Sequence, residues 1–200
     1  DKRRQALAVL RGAMAQGCRR AFVYCNSLSA AVDFPGLAEE TGMQIVTPLD
    51  VYRRLAPRYR ALGVIAANAQ GLSGIEKVLL EANPALDLLG ACALPVVLAV
   101  EAGMPPEELV ERYRLAALAA WFADGGMEAL VLGCTHFPLL QEELQRVLPE
   151  GTRLIDSGAA IARRTAWLLE HEAPDAKSAD ANIAFCMAIT NETEQLLPVL

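Results

Sequence analysis

Only two histidines and three lysines occur in 200 residues, aromatic side chains make up 6% of the chain, and no two cysteines are two residues apart. Each scarcity removes a class of function. A zinc site draws three or four ligands from His, Cys and carboxylates at recurrent spacings. With His136 only two positions from Cys134, and His171 far along the chain, no such set can be read. A pyridoxal enzyme needs a buried lysine for its Schiff base, and Lys2, Lys77 and Lys177 all stand among polar or helical neighbours. Neither glycine-rich phosphate fingerprint, GxGxxG or GxxxxGK[ST], is present, so nucleotide binding has no support. Basic charge is short as well: the net charge is -6, and the arginines are scattered apart from pairs such as Arg19-Arg20 and Arg163-Arg164. Nucleic-acid affinity rests on clustered cations, so a nucleic-acid partner is not expected. A membrane span is not expected either. It takes about 18 consecutive apolar residues, and the longest such run, Leu88 to Val100, is broken by Gly90 and Pro95. No signal-peptide pattern opens the chain, which starts at Asp1 directly in a helical run and reads as a fragment lacking its true N-terminus. Five cysteines, an odd number without metal-type pairing, suit a reducing compartment, and the expected location is cytoplasmic.

The residues that are plentiful are those of a folded α/β domain. The chain is 54% hydrophobic and 21% charged, the balance of a globular protein and not of a disordered one. Short apolar runs alternate with longer amphipathic ones, the pattern of βα units on a mainly parallel sheet. Strands are predicted at 21–25, 44–47, 63–67, 86–92, 129–133, 153–156 and 183–188. Helices are predicted at 2–15, 49–60, 74–81, 105–123, 139–147, 158–170 and 192–200, and a polar loop at 172–180. Pro105-Pro106-Glu107-Glu108 is a helix start with both proline and acids where the helix end favours them.

An internal comparison is more informative than any single element. With Gly17 set on Gly126, the segments Arg20–Tyr24 and Ala129–Gly133 fall in register, and each runs into a cysteine, Cys25 or Cys134, followed by Asn26 or Thr135. Two similar βα halves are expected, each presenting a thiol at the carboxyl end of a strand, the edge where open α/β sheets bind ligands. Facing halves place the two thiols on opposite sides of one cleft. A thiolate at such a turn is favoured by the free N–H groups of the following helix. It serves as general base while the opposing thiol serves as general acid. Removing a proton from one face of a carbon and returning one to the other inverts the centre, so racemisation is the natural chemistry of the pair. The plainer reading is that a cysteine ending a buried strand is a small core hydrophobe; Cys18, Cys92 and Cys186 take that reading, and for Cys25 and Cys134 it stays open. A Cys134–His136 nucleophile pair is a further alternative, disfavoured because residues two apart on a turn rarely face each other.

The segment Leu130–Leu140, LVLGCTHFPLL, resembles the second-cysteine motif of glutamate racemases, in the cofactor-independent aspartate/glutamate racemase family. Cys25–Ala30, CNSLSA, resembles that family's first-cysteine motif CNTASA, and Leu154–Arg164 and Gly63–Ser73 are similar to two further segments in the same order. The resemblance implies two pseudo-symmetric parallel-sheet α/β domains with the active site in the cleft between them. It sets one domain at residues 1–49 plus 157–200 and the other at 50–156. It implies catalysis without a cofactor or a metal, on a small amino-acid substrate, with a homodimer left open. Carried over by position, Cys25 and Cys134 would be the acid/base pair, with His136 orienting Cys134 or assisting its proton transfer. Asn26, Ser27 and Thr135 would hydrogen-bond the substrate. His136 stands where related aspartate racemases carry glutamate, which favours glutamate as substrate and D-glutamate for the bacterial cell wall as product. Asn26 and Thr135 are also good helix N-caps, a role compatible with binding.

Three positions depart from the family pattern. The family's first strand, its Asp-Ser pair and its Pro-Tyr-Gly loop do not precede Asp1. Two substrate-contacting threonines are replaced by Ala67 and Gln70, where Gln70 either supplies a substitute amide or reshapes the pocket. Leu28 adds bulk where alanine is usual. Aspartate racemase, a related isomerase or decarboxylase, and a non-catalytic ligand-binding homologue are the alternatives these departures keep in view.

Overall fold

The computed structural model describes residues 1–159 and 161–163. Helix α1 (Lys2–Ala15) opens with the Asp1 carboxylate accepting from the Arg3 backbone N–H. Strand β1 (Arg20–Phe22) leads to the short helix α2 (Asn26–Ala31), and α3 (Phe34–Thr41) precedes β2 (Gln44–Val46). Next come α4 (Pro48–Leu55), β3 (Ala61–Ala66), α5 (Ala69–Ala82) and β4 (Asp87–Cys92). Three consecutive helices follow, α6 (Leu94–Glu101), α7 (Pro106–Arg112) and α8 (Leu115–Asp124), before β5 (Ala129–Gly133), α9 (Gln141–Val147) and β6 (Arg153–Asp156).

All strand pairings are parallel, as expected of βα units. β1 pairs with β2, and a separate four-stranded sheet runs in the order β4-β3-β5-β6. The chain leaves β3 toward β4 on one side and returns, after α6 to α8, to β5 on the other. The crevice beyond the carboxyl ends of β3 and β5 is therefore a topological switch point, where such sheets bind their ligands.

Strand alternation sorts the core into two faces. Leu62, Val64, Ala129 and Val131 pack against Tyr52 of α4 and Ile75 and Leu79 of α5. Ile65, Leu130 and Leu132 pack on the opposite face with Val96, Leu109, Phe122 and Phe137. Strands β3 and β5 are buried along their whole length, which explains why they read as unbroken apolar runs. A third cluster, built on Leu10, Val32, Phe34, Leu37 and Met43, joins α1 and α3 to the small sheet.

The predicted elements agree for α1, β5 and β6 and differ elsewhere for identifiable reasons. The strand expected at 21–25 ends its pairing at Phe22, with one further bond from the Val23 N–H to the Val46 carbonyl. The helix expected at 49–60 ends at Leu55 and continues as a single tighter turn, Ala56–Arg58. That expected at 74–81 begins five residues earlier, because Asn68 caps it by accepting from the Gly71 N–H at 2.9 Å. The single helix expected at 105–123 is two, broken at Arg114, which takes a left-handed φ of 53°. The expected 139–147 helix starts as a tight turn, Phe137–Leu140. Helices α2, α3 and α6 were not anticipated. The strand at 183–188, the loop at 172–180, the helix at 192–200, Cys186 and most of the 158–170 helix lie outside the described residues.

Candidate active site

Each of the two thiols follows a strand of a different sheet. Gly17 and Gly126, which begin the matched segments, both adopt positive φ, 90° and 71°. The same left-handed turn thus feeds both strands, a conformation that costs glycine least. Cys25 lies beyond β1 as the N-cap of α2, its Sγ accepting from the Leu28 N–H at 3.4 Å. Cys134 directly follows β5, at the switch point. Both are half-buried and free of disulfides.

Burial pushes the Cys134 thiol up from its ordinary range, the His136 N–H pulls it back, and charge on Cys25 pushes it up again. The Thr135 hydroxyl and N–H both lower it. The sequence had suggested a thiol held down by a following helix. Instead, residues 137–140 form only a tight turn, too short to carry a helix dipole, and desolvation prevails.

A third group supplements the pair. The Cys134 sulfur lies 3.4 Å from His136 Nδ1, and His136 Nε2 lies 3.2 Å from a carboxylate oxygen of Glu101 at the end of α6. With the Nε2 proton directed to Glu101, Nδ1 is left with a lone pair facing the thiol. Residues two apart do face each other here, contrary to the expectation from spacing, because the turn after β5 folds the imidazole back. Cys134, His136 and Glu101 thus form a continuous chain of polar contacts from thiol to carboxylate. Glu101 was missed in the sequence. Its helix is almost wholly apolar, and the glutamate that ends it resembles any solvated helix terminus.

The remaining candidate residues divide. Asn26 is 2% exposed; its Oδ1 accepts from the Tyr52 hydroxyl at 2.8 Å, and its Nδ2 is buried with no hydrogen-bond partner. Ser27 donates to Asn68 Oδ1 at 3.4 Å, so it faces the start of α5. Thr135 follows Cys134 directly and is one of the groups that lower its thiol. Gln70 is not drawn into this cluster: it is exposed on the first turn of α5, where its Oε1 accepts from Lys2 at 3.2 Å. Ala67 is buried at the end of β3. Leu28 is half-buried, and its side chain packs into the cluster beneath α1 and α3. Tyr52 and Ser157, neither foreseen, are both buried nearby, and Ser157 helps to offset the burial that pushes the Tyr52 phenol up. Among the described residues, no three or more His, Cys, Asp or Glu side chains gather as a metal site would require, and no helix is long and apolar enough to cross a membrane.

These features have counterparts in known proteins. A glutamate racemase of Klebsiella pneumoniae (strain 342) is 49% identical over 187 residues, which is 90% of this chain and 65% of that protein. The chain thus spans about two thirds of the length of that curated relative. An Escherichia coli glutamate racemase (strain SE11) is 88% identical over a stretch of 73 residues, 36% of this chain and 26% of that protein. Among solved structures, E. coli glutamate racemase in complex with L-glutamate and the activator UDP-MurNAc-ala superposes with a TM-score of 0.66 at 39% identity, covering 99% of this chain and 76% of that one. Glutamate racemase from Thermus thermophilus in complex with β-chloro-D-alanine gives 0.66 at 30% identity, covering 86% and 63%. The family model described as Asp/Glu/Hydantoin racemase matches residues 1–165, both thiols and their strands included, and the chain belongs to that family.

Proposed function

We propose that the protein racemises an acidic amino acid, converting L-glutamate to D-glutamate, with Cys25 and Cys134 as the two proton-transferring groups and no cofactor. The observation that carries this reading is the placement of Cys25 and Cys134 after strands of separate parallel sheets. One thiolate removes the α-proton, and the other thiol delivers its own proton to the opposite face. The two sulfurs have then exchanged protonation states, ready for the reverse reaction. His136 accepts the Cys134 proton when that residue must act as base, and Glu101 stabilises the resulting imidazolium. Asn26, Ser27 and Thr135 bind the amino acid's carboxylate and amino groups, and the unpartnered Asn26 Nδ2 is the donor best suited to a carboxylate. The active site in this reading lies between a domain of residues 1–49 plus 157–200 and a domain of 50–156. The protein acts in the cytoplasm, where its free thiols stay reduced, and light scattering decides between a monomer and a homodimer.

A second reading follows from Ala67 and Gln70. Ala67 offers no hydroxyl, and Gln70 is engaged with Lys2, which favours aspartate or another acid over glutamate. Proton NMR of L- and D-glutamate in D2O tests both. Loss of the α-proton signal from both enantiomers, abolished in Cys25→Ser and Cys134→Ser, is the expected result. No exchange with glutamate but exchange with aspartate would support the second reading, and parental activity in both cysteine variants would exclude the two-thiol mechanism.

A further inference from the structure

Tyr52 is the largest fully buried side chain of the described residues, at 0% exposure, and it lies among Leu62, Val64, Ile75 and Leu79. Phenylalanine would fill that apolar space equally well. A buried hydroxyl is unfavourable unless bonded, so the polar end of Tyr52 needs a reason of its own. It donates to Asn26 Oδ1 at 2.8 Å. Asn26 adjoins Cys25, and its Nδ2 is the sole buried side-chain nitrogen or oxygen among the described residues without a partner.

We propose that Tyr52 is a positioning residue: its hydroxyl locks the Asn26 amide in the orientation that leaves Nδ2, beside Cys25, for the carboxylate of an amino-acid substrate. The proposal rests on the racemase reading above. An amide has two orientations related by a half-turn, and they present opposite partners to a ligand. With the oxygen held by Tyr52, only the donor remains free; with the amide reversed, its oxygen would repel a carboxylate. A phenol carries a single proton, and the Tyr52 hydroxyl gives it to Asn26 Oδ1. The capping box Thr47–Asp50 starts α4 and sets the helix that carries Tyr52, with Asp50 Oδ2 accepting from the Thr47 N–H at 2.8 Å.

The test compares the parent protein with Tyr52→Phe, Asn26→Ala and the double variant. Tyr52→Phe is expected to melt as a folded protein and to raise KM for glutamate about tenfold, the effect of a hydrogen bond to a charged group, with kcat within about twofold of the parent. In the Asn26→Ala background the same change should leave KM unaltered, because Tyr52 then has nothing to orient. In 15N–1H spectra the Asn26 side-chain amide pair, assigned by its loss in Asn26→Ala, should shift or broaden in Tyr52→Phe. An unchanged amide pair, or a KM increase of equal size in both backgrounds, would overturn the proposal. A parent inactive on glutamate would refute the substrate reading alone, since the ligand-free amide spectra still decide whether Tyr52 orients Asn26.

Discussion

In the proposed reaction Cys134 faces two opposed demands, a sulfur desolvated enough to be basic and one that must still ionise. Its pKa is displaced upward, chiefly by burial, so the thiolate fraction at neutral pH is smaller than for a free thiol. Alkylation of Cys134 by iodoacetamide, followed by mass spectrometry, should accelerate as pH rises, with a midpoint above the ordinary thiol value of about 8.5. A midpoint at or below that value would contradict the placement of Cys134 in a desolvated site. Glu101 gives a second prediction. Glu101→Gln keeps the size of the side chain and removes the charge opposite His136, and hydrogen bonds to charged groups are worth about 1.5–3 kcal/mol. Because Glu101 is more than half exposed, screening reduces that to about 1 kcal/mol or less, and a fall in kcat of up to roughly fivefold, with little change in KM, is expected from steady-state racemisation. Neither Glu101 nor Tyr52 could be found in the sequence, because each acts on a residue some 26 to 35 positions away.

At the level of elements, α2 reaches the site by packing directly on α5. A Cβ at Gly71 would come 2.9 Å from Ser27 Oγ, and one at Gly74 would collide with Ala30. These two glycines let the helices approach closely enough to bring Ser27 to Asn68. Gly74→Ala should destabilise the fold by about 1–3 kcal/mol, the usual cost of overpacking, measured by urea unfolding. Arg114, between α7 and α8, lies in the left-handed region with φ 53°. Arg114→Gly should raise the melting temperature, gaining roughly 0.5–1 kcal/mol as the strain disappears. An unchanged or lower melting temperature would show that Arg114 is not strained. The sequence concealed α6 because Leu94–Glu101 is apolar on nearly every side and carries no 3.6-residue period. α3, by contrast, had visible signals. Asp33 caps it by accepting from the Gly36 N–H at 3.0 Å, Pro35 sits in the first turn, and Gly42 closes it at φ 68°.

For the whole molecule, the net charge of -6 and dispersed ion pairs such as Arg3–Glu40 and Arg146–Glu143 leave no basic stripe among the described residues. Retention on heparin or duplex DNA at physiological salt is not expected, and retention there would point to a surface not considered above. The two parallel sheets bring the ends of β1 and β5 into one region, although they lie more than 100 residues apart in the chain. That distance explains why the sequence offers a pair of matching motifs but not their geometry.

The sequence by itself determined the βα alternation, the buried runs of β3 and β5, the repeat that ends in Cys25 and Cys134, and membership of a racemase family. Those properties reside in local periodicity and in short contiguous motifs. The tertiary structure alone decided that burial raises the Cys134 thiol, that Glu101 backs His136, that Gln70 faces Lys2, and that Tyr52 holds Asn26. Each of these depends on desolvation or on a hydrogen bond between distant elements. Such terms take their value only once the chain has folded and water has been excluded.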